Sequence, residues 1–304
     1  MTPSQTPVPD LSDPVPDAPR FPRSYRRPIS LGSDFDHIRR LMADSTVSTV
    51  CAEALCPNKN ECWSRGHVTF QILGKVCSRH CAFCAETSGA PATPDPSEPE
   101  KLADLALRLR LKHIVITSPS RDDLPDLGIG HYIRCLTTLR EKAPGLTVEM
   151  LIPDFQGKDD LLDLLCQARP DVLNHNLETV QRLTPTIRSA QASYPRSLAV
   201  LKRASDRGLR TKSGIMVGLG ETIVEVFQTL ADIREQGVAW MTVGQYLPPS
   251  ATHAPLSRYY SPDEFATIRR RALEIGFEKV MAQPYVRSSY QAGSFADGKE
   301  MPLS

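Results

Sequence analysis

The sequence predicts an α/β fold in which about six strand–helix units form a barrel, closed or partial. Short β-rich apolar runs alternate with helical patterns from residue 68 onward, and 304 residues suffice for one such barrel. Alternation of this kind indicates parallel strands, because parallel neighbours need a crossover connection. A doubly wound fold is the alternative, but no glycine fingerprint follows the first strand, and GLGET after a late strand matches it only in part.

Seven segments carry strand patterns. They are VTFQIL (68–73), HIVITS (113–118), TVEMLI (147–152), DVLNHN (171–176), TKSGIMVGL (211–219), WMTVGQYL (240–247) and FEKVMAQ (277–283), the last as a strand or an extended segment. Active sites of such barrels gather at the C-terminal ends of the strands. We therefore expect Cys77, Thr117, Ser118, Asn174 and Asn176 to lie at one mouth of the barrel.

Helical periodicity marks the segments between these strands. The predicted helices are 34–45, 101–111, 131–140, 159–169, 193–208, 222–236 and a segment that starts at Ser261. Ser97 and Glu100 have the spacing of a capping box ahead of the second of these helices.

Composition excludes several classes of protein. The net charge is +1, so no large basic surface for nucleic acid is expected. No apolar run approaches the roughly 20 residues of a membrane-spanning helix. The first 19 residues contain three aspartates and no Lys or Arg, and they lack an apolar signal region. We expect a cytoplasmic protein in which residues 1–22 form a disordered, proline-rich arm.

Cys77, Cys81 and Cys84, the second triad, follow the first predicted strand with the spacing C-x3-C-x2-C. A short loop can wrap three thiolates around three irons of a cubane, which leaves the fourth iron open to a substrate. The alternative is a structural zinc site with a distant fourth ligand, for which His80 and His113 are candidates. Zinc sites usually contain two C-x2-C-like pairs and this loop has one, so the spacing favours a cluster.

Cys51, Cys56 and Cys62, the first triad, have the rarer spacing C-x4-C-x5-C. The flanking Pro57 and Asn58 are typical of a loop and disfavour a set of core or disulfide cysteines. Six cysteines within 34 residues of a chain without a secretion signal favour metal or cluster binding. The residues alone leave the fourth ligand of this triad open.

The spacing of the second triad, with Phe83 just before its third cysteine, resembles the radical S-adenosylmethionine (radical SAM) superfamily. The resemblance implies a partial (β/α)6-type barrel. It also implies that the amino and carboxylate groups of S-adenosylmethionine chelate the open iron. An electron from the cluster then cleaves the sulfonium, and the 5′-deoxyadenosyl radical so formed abstracts hydrogen from unactivated carbon.

A narrower resemblance, to the lipoyl synthase family, covers about residues 24 to 294. The matching segments occur in the family's order. They are CAEALCPNKNECWS, TFQILG, SRDDLPD (120–126), LIPDFQG (151–157), DVLNHNLETVQRLTPTIR (171–188), RSLAVL (196–201), TKSGIMVGLGET (211–222), GQYLPPS (244–250) and VRSSY (286–290). Departures at Pro119 and at residues 127–129 touch no predicted cluster ligand.

The family resemblance implies two [4Fe–4S] clusters, one on each triad. The second serine of the RSSY segment, Ser289, is then the fourth ligand of the auxiliary cluster on the first triad. A serine oxygen is a hard ligand beside soft thiolates, so it would hold its iron weakly. The implied division of the chain is an arm (1–22), an N-terminal extension with the first triad (23–66), a radical SAM barrel (67–276) and a C-terminal extension with RSSY (277–304).

Side chains at the predicted barrel mouth are candidate contacts to S-adenosylmethionine. Asn174 and Asn176 lie two apart, on one side of a strand end, where they can hold its ribose or methionyl groups. Glu178 can pair with its amino group, and Arg188 or Lys212 with its carboxylate; polar loop capping is the structural alternative. The whole predicted set is Phe83, Thr117, Asn174, Asn176, Glu178, Arg188 and Lys212.

The reaction that the resemblance implies is the insertion of two sulfur atoms at C6 and C8 of an octanoyl-lysine. General acid–base groups cannot activate such carbons, so a cofactor must supply the chemistry, with sulfides from the sacrificed auxiliary cluster. The implied partners are an octanoylated lipoyl carrier domain of the 2-oxoacid dehydrogenase E2 or glycine cleavage H protein type, reduced ferredoxin or flavodoxin, and an iron–sulfur carrier. The alternatives are a biotin-synthase-like sulfur-inserting enzyme and a non-catalytic iron–sulfur electron carrier.

Overall fold

A curved parallel sheet organises residues 20–26 and 32–298, the part of the chain that the computed structural model describes. The strands are β1 (Ser48–Thr49), β2 (Thr69–Gln71), β3 (Val76–Cys77), β4 (Thr87–Ser88), β5 (His113–Thr117), β6 (Thr147–Leu151), β7 (Val172–Asn174), β8 (Thr211–Val217), β9 (Trp240–Gln245) and β10 (Lys279–Gln283). Their order in the main sheet is β1-β2-β5-β6-β7-β8-β9-β10, and β3 pairs with β4 in a small second sheet.

The main sheet is a partial barrel. From β2 to β10 all neighbours are parallel and follow chain order, whereas β1 runs antiparallel to β2. Residues from β2, β5, β6, β8 and β9 line one common cavity, so the sheet curves around it. Among the described residues, β10 forms no ladder with β1 or β2, and the barrel stays open at that seam. The predicted α/β partial barrel is confirmed.

Helices cover the outer face of the sheet and extend the chain at both ends. They are α1 (Ser33–Ala43), α2 (Val50–Glu53), α3 (Lys59–Ser64), α4 (Glu98–Arg108), α5 (Ile129–Lys142), α6 (Asp159–Ala168), α7 (Thr184–Ile187), α8 (Tyr194–Asp206), α9 (Ile223–Glu235), α10 (Pro262–Glu274) and α11 (Ala292–Ala296). Two apolar clusters fill the space between helices and sheet, one under α4 to α6 and one under α9 and α10.

The predicted strands and helices are all present, with ends that differ by a few residues. The capping box at Ser97 is wrong: its hydroxyl donates to Asp95 Oδ1 at 2.6 Å and caps no helical N–H. The segment 277–283 contributes β10, paired along its length with β9, so the sheet continues past residue 276. Residues 1–19 of the predicted arm lie outside the described residues.

The segment that follows β10 runs back across the interior of the barrel. Two buried glycines leave room for it: a Cβ on Gly214 would lie 2.9 Å from Ser288 Oγ, and one on Gly244 would lie 2.0 Å from the carbonyl oxygen of Val286. α11 then packs against β5, with Phe295 edge-on to Trp240 at a centroid distance of 5.5 Å. Small residues in two central strands thus position the predicted RSSY segment inside the barrel.

The N-terminal segment is tied to the same end of the barrel. The Tyr25 hydroxyl donates to the carbonyl of Tyr260 at 2.6 Å and shares the same proton with Gln245 Oε1 at 3.0 Å. The Tyr285 hydroxyl in turn donates to the carbonyl of Tyr25, and Asn58 Nδ2 donates to the carbonyl of Tyr285 at 2.6 Å. These bonds join the first triad's loop, the N-terminal segment and the approach to RSSY.

No helix within residues 20–26 and 32–298 combines the length and apolar character needed to cross a membrane.

Candidate functional site

A cavity of about 520 Å³ opens at the C-terminal ends of β2, β5, β6, β8 and β9 and beyond the end of β7. We call it the main cavity. All three cysteines of the second triad line it, as do Phe83 and Thr117. This is the position at which the chemistry of a β/α barrel is expected, because loops from every strand converge there.

The second triad lies on a loop that begins at β3 and returns at β4. Backbone N–H groups point at two of its sulfurs: Arg79 N lies 3.4 Å from Cys77 Sγ, and Ser189 N lies 3.3 Å from Cys81 Sγ. Burial raises the pKa of the Cys81 thiol and raises that of Cys84 to about 12, so both thiols need a nearby positive charge to ionise. A bound metal centre supplies that charge, and the N–H donors fit thiolates.

Neighbouring loops hold this part of the chain in place. Ala82 donates its N–H to the carbonyl of Ile187 at 2.9 Å, and its own carbonyl accepts from Ala254 N at 2.7 Å. The His253 ring contacts the carbonyl of Cys84 through Nε2 at 3.2 Å. The GQYLPPS segment, singled out by the family resemblance, therefore leads into a loop that packs on the second triad.

A smaller cavity of about 30 Å³ lies beside the first one. Cys51, Cys56 and Cys62 line it together with Ser289, which is 227 residues farther along the chain than Cys62. Cys56 and Ser289 also line the main cavity, so the two cavities meet at these side chains. The structure thus brings the first triad and the predicted serine to one place.

The first triad is more deeply buried than the second. Burial raises the pKa of the Cys51 thiol to about 11, with a further rise from Cys56, and burial also raises the pKa of Cys62. Thiols with raised pKa values lose their protons when a cation binds between them, because the cation offsets both desolvation and mutual repulsion. The three thiols of the first triad and the Ser289 hydroxyl form a donor set that suits an iron–sulfur cluster.

The arrangement of both triads is compatible with iron–sulfur clusters. Within the described residues, no group of three His, Cys, Asp or Glu side chains is arranged to hold one metal ion. Thiolates of a cubane each bind a different iron, so they lie farther apart than ligands that share an ion. His113, a candidate zinc ligand for the second triad, lines the small cavity instead and faces Glu149 Oε2 at 3.4 Å.

Four of the predicted S-adenosylmethionine contacts line the main cavity with polar atoms: Thr117, Asn176, Glu178 and Arg188. Asn176 Oδ1 accepts from Ser288 Oγ at 2.7 Å. Glu178 adopts a left-handed backbone conformation (φ 70°). Burial raises the pKa of the Glu178 carboxyl, and the Arg188 guanidinium opposes that rise. A left-handed, half-buried carboxylate near a half-buried guanidinium is typical of a binding site.

The structure corrects the expectation for Lys212 and Asn174, neither of which lines the main cavity. Lys212 Nζ lies 2.8 Å and Asn174 Nδ2 lies 2.9 Å from Glu149 Oε1, and all three side chains are buried. Asn176 and Gly214, which follow Asn174 and Lys212 by two residues, do line the cavity. They therefore form a polar layer beneath it, and Glu149 neutralises the ammonium that was assigned to a ligand carboxylate.

Two arginines that line the main cavity are outside the predicted set of S-adenosylmethionine contacts. Arg287 lines both cavities, and Arg79 is buried against Asp122 and Asp154 at the edge of the main cavity. Asp122 belongs to the SRDDLPD segment, whose spacing names no partner for it. Its fixed partner is an arginine inside the second triad, and no local pattern indicates a pairing across 43 residues.

A family model described as the Radical SAM superfamily matches residues 72–233. Relatives named lipoyl synthase cover nearly the whole chain. That of Chlorobium phaeovibrioides is 48% identical over 277 residues, which are 90% of this chain and 97% of the relative. That of Parabacteroides distasonis is 47% identical over 266 residues, 87% of this chain and 94% of the relative.

Solved structures with the same fold are more distant in sequence. A maturase of the [FeFe]-hydrogenase, HydG, has a TM-score of 0.55 at 12% identity, covering 69% of this chain and 49% of its own. Methylornithine synthase (PylB) has a TM-score of 0.54 at 14% identity, with coverage of 69% and 63%. These likenesses show the fold alone, whereas the sequence relatives show the family. The chain belongs to the lipoyl synthase family of the radical SAM superfamily.

Proposed function

We propose that the two triads divide the work of sulfur insertion between the two cavities. Cys77, Cys81 and Cys84 hold the [4Fe–4S] cluster that binds S-adenosylmethionine in the main cavity. The first triad and Ser289 hold the auxiliary cluster. When bound, these groups supply the radical chemistry and the sulfur with which C6 and C8 of a protein-bound octanoyl chain are functionalised, chemistry that no side chain can provide.

The observation that carries this proposal is the meeting of the two cavities at Cys56 and Ser289. A carbon held in the main cavity then lies near both the site of hydrogen abstraction and the site of sulfur supply. Of the first triad, Cys56 lines both cavities, whereas Cys51 and Cys62 line the small cavity alone. Ser289, a hard ligand beside thiolates, occupies the side that faces the substrate.

The polar residues of the main cavity orient S-adenosylmethionine. Arg188 suits its carboxylate, because the guanidinium already donates to Ser197 Oγ at 2.9 Å and to the carbonyl of Leu177 at 3.3 Å. Glu178 suits the amino group, since an ammonium would compensate its burial. Asn176 and Thr117 are placed for its hydroxyl or methionyl groups, and Phe83 for contact with its apolar surface.

Apolar side chains separate these polar groups from one another. Leu151, Ile152, Ile215 and Met216 line the main cavity among the polar positions. Such walls exclude water from the part of the cavity where the unactivated carbon is held. The same walls suit an alkyl chain, which gains about 0.8 kcal/mol per buried methylene.

A lipoyl carrier protein is the substrate of the family, and we extend the proposal to its partners. We assign the octanoylated domain to the 2-oxoacid dehydrogenase E2 or glycine cleavage H protein type, the reductant to ferredoxin or flavodoxin, and the rebuilding of the auxiliary cluster to an iron–sulfur carrier. All of these operate in the cytoplasm. What supports this extension is the family membership together with the accessible mouth of the main cavity.

The test is anaerobic reconstitution with reductant, S-adenosylmethionine and an octanoylated lipoyl-domain peptide, followed by mass spectrometry. We expect 5′-deoxyadenosine and a gain of two sulfur atoms. Ser289→Ala should lower sulfur insertion far more than 5′-deoxyadenosine formation, because only the auxiliary site loses a ligand. Ser288→Ala is the matched control: Ser288 lines the main cavity but not the small one, so both sites should keep their iron.

Two results would contradict the assignment. If neither 5′-deoxyadenosine nor a two-sulfur product forms, the proposed reaction is wrong. If Ser289→Ala and Ser288→Ala lose the same share of auxiliary iron, the ligand role of Ser289 is wrong.

A further inference from the structure

The loop that carries the second triad is bonded along its length to one short segment. We call residues 74–92 the cluster loop and Ser120–Asp123 the clasp. Ser78 N and Ser78 Oγ both donate to the carbonyl of Ser120, at 3.0 and 2.9 Å. Asp122 N donates back to Ser78 Oγ at 3.0 Å. The residue next to Cys77 is therefore held through both its N–H and its hydroxyl.

Arg79 adds a charged anchor between the first two cysteines of the triad. Its Nε and Nη2 donate to the two oxygens of Asp122 at 2.5 and 2.8 Å, and Nη2 also lies 2.7 Å from Asp154 Oδ1. The Arg79 side chain is 5% exposed and that of Asp154 is 0% exposed. A bidentate pair of this kind fixes direction as well as distance.

Arg121 holds the two ends of the same loop. Its Nη1 donates to the carbonyl of Leu73, just before the cluster loop, and its Nη2 donates to the carbonyl of Ala92, the last residue of that loop; both distances are 2.8 Å. Asp123 accepts from the same guanidinium at 2.8 Å. The Arg121 side chain is 1% exposed, and its bond to Leu73 is buried, whereas Ala92 and Asp123 lie nearer the surface.

Stability alone is a poor reason for such an arrangement. Well-packed apolar side chains usually match or exceed buried ion pairs in stability, because burying charges has a large desolvation cost. Directional hydrogen bonds from Arg79 and Arg121 instead hold the cluster loop in one defined position. Two buried arginines converge on one loop of this chain, and that loop carries the second triad.

We propose that the clasp fixes the cluster loop so that hydrogen abstraction stays coupled to sulfur insertion, with Arg79 and Arg121 as positioning residues. This inference rests on the proposed function of the second triad. A radical formed in a displaced site would be quenched before it reached C6 or C8, and a displacement of about 1 Å can lower a rate about 100-fold. The family segments SRDDLPD and LIPDFQG, which supply Asp122 and Asp154, thereby gain a common role.

The experiment compares Arg79→Met, Arg79→Lys and Asp122→Asn in the reconstituted enzyme. Arg203→Met is the matched control, because Arg203 makes a bidentate pair with Asp163 at 2.8 Å that lies between α6 and α8, away from both cavities. The measurements are iron per chain, hydrogen–deuterium exchange of residues 74–92, and the ratio of 5′-deoxyadenosine to two-sulfur product.

The wild-type ratio is expected to be about two, one for each carbon. Arg79→Met should raise that ratio at least about fivefold, and exchange in the cluster loop should become at least about tenfold faster. Arg79→Lys should give a product ratio and an exchange rate between those of the wild type and Arg79→Met, because an ammonium cannot bind two carboxylates in the same fork geometry. Arg203→Met should change neither quantity.

The proposal is overturned if Arg79→Met keeps both the wild-type ratio and the wild-type exchange, or if Arg203→Met shifts them equally. If Arg79→Met does not fold or binds no iron at the second triad, Asp122→Asn decides: a raised ratio supports the clasp and an unchanged ratio overturns it. If the wild-type enzyme forms no 5′-deoxyadenosine, the proposed function fails, while the exchange comparison still tests the clasp itself.

Discussion

The tightest packing in the barrel interior predicts the effect of one added methyl group. Gly244 lies in β9, and a Cβ at this position would be 2.0 Å from the carbonyl oxygen of Val286 and 3.0 Å from its carbonyl carbon. Both are backbone atoms, so no side-chain rotation can relieve the clash. In Gly244→Ala the segment that leads from Val286 to Ser289 must move.

The size of the movement follows from the distance. Real Cβ atoms essentially never approach closer than 3.0 Å, so Val286 must shift by at least about 1 Å. Overpacking of this kind costs about 1–3 kcal/mol of stability. Ser289 lies three residues beyond Val286, and a shift of about 1 Å there disrupts a ligand geometry that tolerates only a few tenths of an ångström.

The assay is iron analysis after anaerobic reconstitution, combined with S-adenosylmethionine cleavage and urea unfolding. We expect iron in Gly244→Ala to fall below about eight atoms per chain, because the auxiliary site loses its serine ligand while the second triad remains intact. Cleavage of S-adenosylmethionine should persist while sulfur insertion is lost. The control is Gly145→Ala, with φ 87° and no heavy atom within 4 Å of the added Cβ. It should cost about 1–2 kcal/mol through backbone strain alone.

Retention of about eight irons per chain and of wild-type sulfur insertion by Gly244→Ala would refute the packing argument. Loss of auxiliary iron in Gly145→Ala to the same extent would show that reduced stability, and not displacement of Ser289, is the cause.

The polar layer and the N-terminal anchor yield further predictions. Lys212→Met leaves the buried Glu149 carboxylate uncompensated and should lower the free energy of unfolding, measured in urea, by about 3–5 kcal/mol. Adding Glu149→Leu should restore most of the lost stability. If the double variant is no more stable than Lys212→Met, the two side chains are not paired. Burial alone would raise the pKa of Glu149, but the Lys212 ammonium lowers it to about 2. The stabilisation from the Glu149 carboxylate is therefore complete above its unfolded pKa of about 4.5 and declines as pH falls towards 2. The urea midpoint should therefore drop more between pH 7 and pH 3 for the wild type than for the double variant. Tyr25→Phe removes hydrogen bonds to Gln245 and Tyr260 and should cost about 1–3 kcal/mol without changing iron content; lost iron would assign Tyr25 a role at the first triad.

Much of the fold could be predicted because its signals are local. Each strand of the sheet is an apolar run followed by a helical pattern, and parallel pairing in chain order follows from that alternation. The capping box at Ser97 failed because Asp95, two residues earlier, competes for the hydroxyl. The membership of β10 in the sheet was uncertain from sequence because no further strand–helix unit follows it.

The candidate site also combines features that local sequence could predict with features that it could not. The second triad lies within eight residues, so its spacing alone indicated a shared centre beside the barrel mouth. Asn174 was assigned to a ligand because it lies at a strand end, and Lys212 because its ammonium can pair with a carboxylate. Their side chains lie one inward layer lower, where Glu149 binds both. Periodicity specifies which face a residue occupies but not its depth along a curved strand.

The sequence by itself determined the alternating architecture and the composition of both triads, because those properties depend on neighbours a few residues apart. Only the tertiary structure shows how distant groups come to lie beside the triads. Ser289 reaches the first triad because two glycines in β8 and β9 leave space for the chain that carries it. Arg79 meets Asp122 and Asp154 because the loops after β5 and β6 converge on the second triad. Such contacts depend on where the backbone folds back on itself, and no local spacing encodes that path.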